Sequence, residues 1–248
     1  MEPTGYPNSG LFDQSLSLEY LTPGCVQYGN VNTLPMIDPS EFVAVVTPLI
    51  SANDVQGMIH ALELRWSPTQ IVSLLNGGDV DARKVAALCL ALVGRKCALD
   101  PLRRALSDPD PMVHQMAEHA MWSIWFRAGT EEANCHLVRG AMALEKREFD
   151  CAGKHFCRAI ELDPDFAEPY NQRAIVKYLR EQYTESVVDC LRTVERMPCH
   201  FGAWAGMGHC QACLGNMDEA IRCYSHALQI NPGLDGIRQA IQQLRCPS

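Results

Sequence analysis

The residues best suited to chemistry in this 248-residue chain are its twelve cysteines and eight histidines. Cys210 and Cys213 form a CxxC directly after His209, Cys151, His155 and Cys157 crowd together, and Cys199 precedes His200. A structural zinc site needs four ligands, usually two such pairs folded together. Only one CxxC is present, and the pattern around it places it inside a helix. A redox CxxC needs a helix N-terminus to lower its thiol pKa, whereas this one falls late in its helix. His114 and His119 are five apart, a poor helical ligand pair, and the cluster Met121, Trp122, Trp125 and Phe126 has the helical spacing of a packed core. The expectation is therefore no metal, no cofactor and no catalytic residue, with the thiols serving as small core residues. No phosphate loop, HExxH or GxSxG appears to suggest otherwise.

The elements that would position any site are helices, and they repeat. Pro164, Pro198 and Pro232 stand 34 residues apart and close the similar phrases AIELDP, TVERMP and ALQINP. Alignment on them gives three gapless segments, 133–166, 167–200 and 201–234. Small residues share columns: Gly140, Ala174 and Gly208; Ala152, Ser186 and Ala220; Ala159, Thr193 and Ala227. Phe156, Cys190 and Tyr224 fill a bulkier column. Small residues facing large ones let two helices cross closely, and each proline stops the second helix of its pair. Beyond Pro232, Leu234, Ile237, Ile241 and Leu244 make one helical stripe, as a capping helix over 235–245 requires.

Upstream, segments 68–98 and 99–129 align with period 31, pairing Ile71 with Leu102, Leu75 with Leu106, Asp79 with Asp110 and Ala86 with Ala117. Ser67-Pro68, Asp100-Pro101 and Asp110-Pro111 read as N-caps followed by proline at the first helical position. One further helix is expected from Asn53 to Trp66, capped by Asn53 or Ser51. Residues 1–50 show no period and hold six scattered prolines; they read as an irregular or disordered arm. Arg127 to Glu132 is a short junction, with Gly129 ending one helix and Thr130 opening the next, which favours continuous stacking of the two arrays.

The 34-residue pattern resembles the tetratricopeptide repeat family. The third segment carries it best, through Trp204, Gly208, Gly215, Ala220, Tyr224, Ala227 and Pro232; the second is degenerate, with Lys177 and Cys190 at aromatic positions. The upstream pair resembles HEAT-type repeats, including those of proteins related to bilin lyases. Together these imply an all-α fold: an α-solenoid of helical hairpins with a HEAT-like region over 51–129, three tetratricopeptide-like repeats and a cap over 130–248, and the irregular arm over 1–50.

In the tetratricopeptide family the first helix of each repeat lines a groove that holds a peptide or partner helix. Here that implies Leu137, Ala141, Asn171, Ile175, Tyr178, Ala205 and His209 as partner contacts. A subfamily grips chaperone C-terminal carboxylates with Lys, Asn and Arg at such sites, but this sequence retains Asn171 only, so carboxylate capture is not expected. The expected function is a non-catalytic scaffold or adaptor whose partner is another protein, bound as a peptide or amphipathic helix. Two alternatives stand beside it: a HEAT-like accessory or lyase-type chaperone acting on a cofactor-bearing partner, and a thiol-based metal or redox protein. A third possibility for the groove itself is occupation by the chain's own arm.

The net charge of -8 repels phosphate backbones and argues against nucleic acid. The run FVAVVTPLI is too short to span a bilayer, and the first residues lack a signal-peptide pattern, so the expected location is the cytoplasm.

Overall fold

The structure is a computed structural model and describes residues 37–245. Among them are thirteen α-helices and no strand. They fall into two compact units that divide between Trp125 and Phe126.

The upstream unit holds α1 (Pro39–Ser51), α2 (Val55–Arg65), α3 (Pro68–Gly77), α4 (Val80–Val93), α5 (Leu99–Ala105) and α6 (Pro111–Phe126). The helix α1 corrects the expectation of an irregular arm over its last twelve residues; residues 1–36 lie outside the described ones. It forms because Asp38 caps Ser40 N–H, Pro39 sits at the first helical position, and Phe42 and Val46 are buried four residues apart. Scattered prolines hid this: Pro39 starts the helix, and Pro48 lies inside its last turn, where it has no N–H to donate. The next helix is capped by Asp54, whose Oδ1 accepts from Gly57 N–H at 2.8 Å, rather than by Asn53 or Ser51. Asn53 instead takes a left-handed turn conformation, φ 52°, which Asn tolerates better than most residues.

The Ser67 cap is a reciprocal capping box with Gln70, Asp110 caps as expected, and Asp79, not named as a cap from sequence, caps α4 by accepting from Ala82 N–H. Asp100 does not. The helix α5 begins at Leu99, following a 3₁₀ turn at Lys96–Ala98, so Asp100 and Pro101 lie within its first turn. Arg83 joins the two repeats of this unit by a two-pronged ion pair with Asp108, at 2.8 and 3.1 Å. Trp122 and Trp125 meet edge to face at 5.0 Å, and Trp125 is buried.

The downstream unit holds α7 (Glu131–Glu145), α8 (Phe149–Leu162), α9 (Ala167–Leu179), α10 (Tyr183–Arg196), α11 (Phe201–Cys213), α12 (Met217–Ile230) and α13 (Asp235–Arg245). Each packs on the next, and α9 packs on both α7 and α11, so α7, α9 and α11 form one layer. Thr130 caps α7 by accepting from Ala133 N–H.

The 34-residue period is written into the backbone. Arg147, Glu181 and Gly215, spaced 34 apart, all adopt positive φ in the turn between the two helices of their hairpin (60°, 61° and 82°). Each N–H donates to the carbonyl three residues back, on Leu144, Tyr178 and Ala212. Only the third turn uses glycine, which takes this conformation without strain. The proline carbonyls repeat too: Tyr170 Oη, Trp204 Nε1 and Arg238 Nη2, again 34 apart, donate to the oxygens of Pro164, Pro198 and Pro232. Arg238 thus makes α13 the positional equivalent of a further first helix, with Ile237 and Ile241 buried against the last hairpin.

The helix crossings follow the small-to-large columns. A Cβ on Gly140 would fall 2.4 Å from the Phe156 ring, and one on Gly208 would fall 2.5 Å from the Tyr224 ring. In the second hairpin Ala174 replaces glycine and Cys190 replaces the ring, so one side grows as the other shrinks and the helices still meet. Ala220 is fully buried in the cluster of Ala205, Tyr224, Ala227 and Ile237. Ala220→Leu is expected to cost about 1–3 kcal/mol through overpacking, read as a lower thermal midpoint; an unchanged melt contradicts this register.

Candidate functional site

The seven expected contact residues all lie on the odd helices α7, α9 and α11, but only some reach the surface. Leu137, Asn171 and Ala205 are buried, which corrects their assignment as contacts. Leu137 packs with Ala133, Phe156 and Phe166. Ala205 sits in the cluster with Tyr224 and Ile237. Asn171 is held within a polar network: its Nδ2 donates to Glu168 Oε1 at 3.1 Å. Ala141, Ile175, Tyr178 and His209 remain half-buried, with part of each side chain accessible.

The network that takes Asn171 joins the second hairpin to the third. Glu168 is buried, and its Oε1 also accepts from Gln172 Nε2 at 2.7 Å. Its Oε2 meets His200 Nε2 at 2.8 Å. His200 caps α11, since its Nδ1 accepts from Ala203 N–H at 3.0 Å. With Nδ1 accepting, Nε2 carries the N–H that donates to the carboxylate. Three donors therefore satisfy one buried carboxylate, as burial of a charge requires.

A second buried carboxylate, Asp189 on α10, binds α9. Arg173 grips it with two bonds of 2.8 Å and Lys177 Nζ lies 2.6 Å from Oδ2. Lys177, which breaks the aromatic pattern of the family, is thus an ion-pair residue. Burial alone would raise the Asp189 carboxyl, but the hydrogen bonds from Arg173 and Lys177 outweigh it and hold it below the usual range. Arg173 also donates to Cys157 Sγ at 3.3 Å.

Around Tyr178 the rings gather. Tyr178 and Tyr183 have centroids 5.5 Å apart with planes at 60°, and Tyr178 and His209 are 6.4 Å apart. The His209 and Tyr224 rings meet edge to face at 5.2 Å. Tyr224 Oη lies 2.8 Å from His209 Nδ1. Burial pushes His209 down to about 4 and Tyr224 well up; the bond therefore joins a neutral phenol and a neutral imidazole. Burial, and then Cys213, raises Tyr178, whose Oη lies 4.0 Å from the Cys213 thiol. Tyr183 was not among the residues expected from sequence. Its signal was present, for it stands one period after Phe149 in the same column.

The cysteines divide. Cys89, Cys190, Cys210 and Cys223 are buried core thiols; Cys97, Cys135, Cys151 and Cys213 are exposed. Within the CxxC, burial pushes Cys210 up to about 11, opposite to the shift that thiol–disulfide chemistry uses. His136 Nδ1 and His155 Nδ1 lie 3.0 Å apart, one donating to the other. Among the described residues no group of three or more His, Cys, Asp and Glu side chains is placed to hold a metal ion, and no helix is long and apolar enough to cross a membrane.

Comparison with known proteins places this geometry. A family model described as tetratricopeptide repeat matches residues 202–234, the α11–α12 hairpin. One described as HEAT repeats matches residues 68–145, from α3 through α7. A TPR repeat-containing protein of Rhizobium etli is 29% identical over 108 residues, which are 44% of this chain and 53% of that protein. Anaphase-promoting complex subunit 3 of Schizosaccharomyces pombe is 31% identical over 100 residues, 40% of this chain and 14% of that one. The chain thus spans about half of the first of these relatives and much less of the second. Among solved structures, the first TPR of Spaghetti bound to an HSP90 peptide, SRMEEVD, aligns with 47% of this chain and 92% of its own at TM-score 0.46 and 16% identity. The TPR2B domain of yeast Sti1 in complex with an Hsp70 peptide aligns with 47% and 98% at TM-score 0.45 and 20% identity. The α11–α12 hairpin thus matches the tetratricopeptide repeat model and the stretch from α3 through α7 the HEAT-repeat model, and the period-34 backbone carries the first pattern across three hairpins.

Proposed function

We propose that this chain is a non-catalytic adaptor that binds another protein, as a peptide or amphipathic helix, on the first-helix face of its tetratricopeptide repeats. The observation that carries the reading is the set of partly accessible side chains on the first helices, Ala141, Ile175, Tyr178 and His209, of which the last two have rings 6.4 Å apart. It is apolar and aromatic, and its one titratable nitrogen base is neutral at pH 7 because burial holds His209 near 4. Such side chains suit an apolar helix face. The division into residues 51–129 and 130–248 belongs to this proposal, with α1 joined to the upstream array. Cytoplasmic placement belongs to it as well. The raised Cys210 thiol weighs against the redox alternative.

The test is the double substitution Tyr178→Ala with Ile175→Ala. Loss of an aromatic anchor and its neighbour is expected to reduce recovery of a partner by about tenfold or more. Both side chains are half-buried, so a modest fall in melting temperature is also expected, and recovery is compared at a temperature where circular dichroism shows both proteins fully folded. Undiminished recovery removes this face from the binding mechanism.

A further inference from the structure

We infer that the corner formed by Tyr178, Tyr183 and Glu181 receives a lysine or arginine side chain from the bound partner, an inference that rests on the adaptor reading above. The repeat itself supplies the comparison. In the first hairpin the Phe149 ring carries two guanidinium groups, those of Arg147 and Arg180, each with its Cζ 5.9 Å from the ring centroid. Arg180 is held there by Asp150 at 2.5 Å. One period later the ring is Tyr183, and the places of the two arginines are taken by Glu181 and Leu214. The aromatic position is kept while both cations are replaced, one of them by an acid.

The surroundings of Tyr183 favour positive charge. Its ring and that of Tyr178 stand 5.5 Å apart at 60°, two walls of an open corner whose π-faces attract cations. Glu181 is exposed in the turn that joins the two tyrosines, its N–H bonded to the Tyr178 carbonyl at 2.9 Å. Burial raises the Tyr183 phenol, the neighbouring Cys213 thiol raises it further, and the charge of Glu181 adds a smaller share. The chain's own neighbouring cations are directed elsewhere: Lys177 to Asp189, and Arg180 to Asp150 and Phe149. His209 is neutral. An acidic peptide would bring carboxylate against Glu181 and two electron-rich rings, whereas a basic amphipathic helix places its apolar stripe on Ile175 and Ala141 and its cation in the corner. The net charge of -8 steers the same partner.

The test uses the full chain with ¹³C-labelled tyrosine rings, titrated with n-butylguanidinium and, at equal ionic strength, with n-butylurea and butyrate. Saturable shifts of the Tyr178 and Tyr183 rings are expected with butylguanidinium alone. Glu181→Lys, a change at an exposed turn, is expected to weaken them roughly threefold or more, and Tyr183→Leu to abolish them at Tyr178. Equal shifts with butylurea, or an unchanged titration in Glu181→Lys, overturn the inference. Partner capture separates the two readings. If Tyr178→Ala with Ile175→Ala loses the partner and Glu181→Lys keeps it, the face binds but the cation assignment fails. If neither variant loses it, both fail; if both lose it, both stand.

Discussion

Asp189→Ala is expected to destabilise the downstream unit by about 3–5 kcal/mol, the cost of leaving buried charges without their counterion. The Asp189 side chain is 0% exposed, while those of Arg173 and Lys177 are 16% and 25% exposed. Removal of the carboxylate strands two cations against the α9–α10 interface, where neither can rotate fully into water. Replacement of all three by apolar residues, Arg173→Met, Lys177→Met and Asp189→Leu together, is expected to recover most of the loss, because the desolvation cost disappears with the charges. Thermal or urea unfolding of the two proteins checks this. A loss below about 1 kcal/mol in Asp189→Ala, the range of exposed pairs, means the carboxylate is solvated. The acid dependence follows from the same geometry. Asp189 is held below the ordinary carboxylate value of about 3.9. Its stabilisation is therefore present above pH 4 and is lost as the pH falls further, through its folded-state value.

Between pH 7 and pH 5 the expected loss of stability comes from His209 instead. Its folded value of about 4 lies below the ordinary 6.5. The unfolded chain therefore binds a proton below pH 6.5 that the folded chain refuses, and stability falls as the pH drops from 6.5 towards 4. The contribution is about 1–2 kcal/mol between pH 7 and 5, allowing for the part of the ring that solvent reaches. The structural cause is burial of the ring, which penalises the charged imidazolium. His209→Gln cannot titrate and keeps an acceptor there. Its melting temperature is expected to vary less between pH 7 and 5 than that of the parent, with the residual slope owed partly to His155, which burial also lowers. Parallel slopes in the two proteins rule out His209 as the source.

The sequence by itself determined the hairpins, because their cause is local and periodic. Pro164, Pro198 and Pro232 end the second helices through missing N–H groups, and the small columns at Gly140, Ala174 and Gly208 mark where helices cross. The caps at Ser67, Asp110 and Thr130 follow from short-range bonding of side-chain oxygen to backbone N–H. Where local rules gave two readings, packing chose. Pro39 was read as part of an irregular arm, yet it opens α1, since Phe42 and Val46 find a core to bury in. Asp100 looked like a cap but lies inside α5.

The candidate site was legible only in outline. Position in the repeat named seven residues on the first helices, but not which of them keep accessible surface. Tertiary structure buried Leu137 and Ala205 among side chains from neighbouring helices and gave Asn171 to Glu168. It also brought Tyr183, the first residue of α10, up to Tyr178. Periodicity fixes the direction in which a side chain leaves its helix. Its exposure and its hydrogen-bond partners depend on groups supplied from elsewhere in the chain, such as Tyr224 at His209, His200 at Glu168, and Arg173 and Lys177 at Asp189.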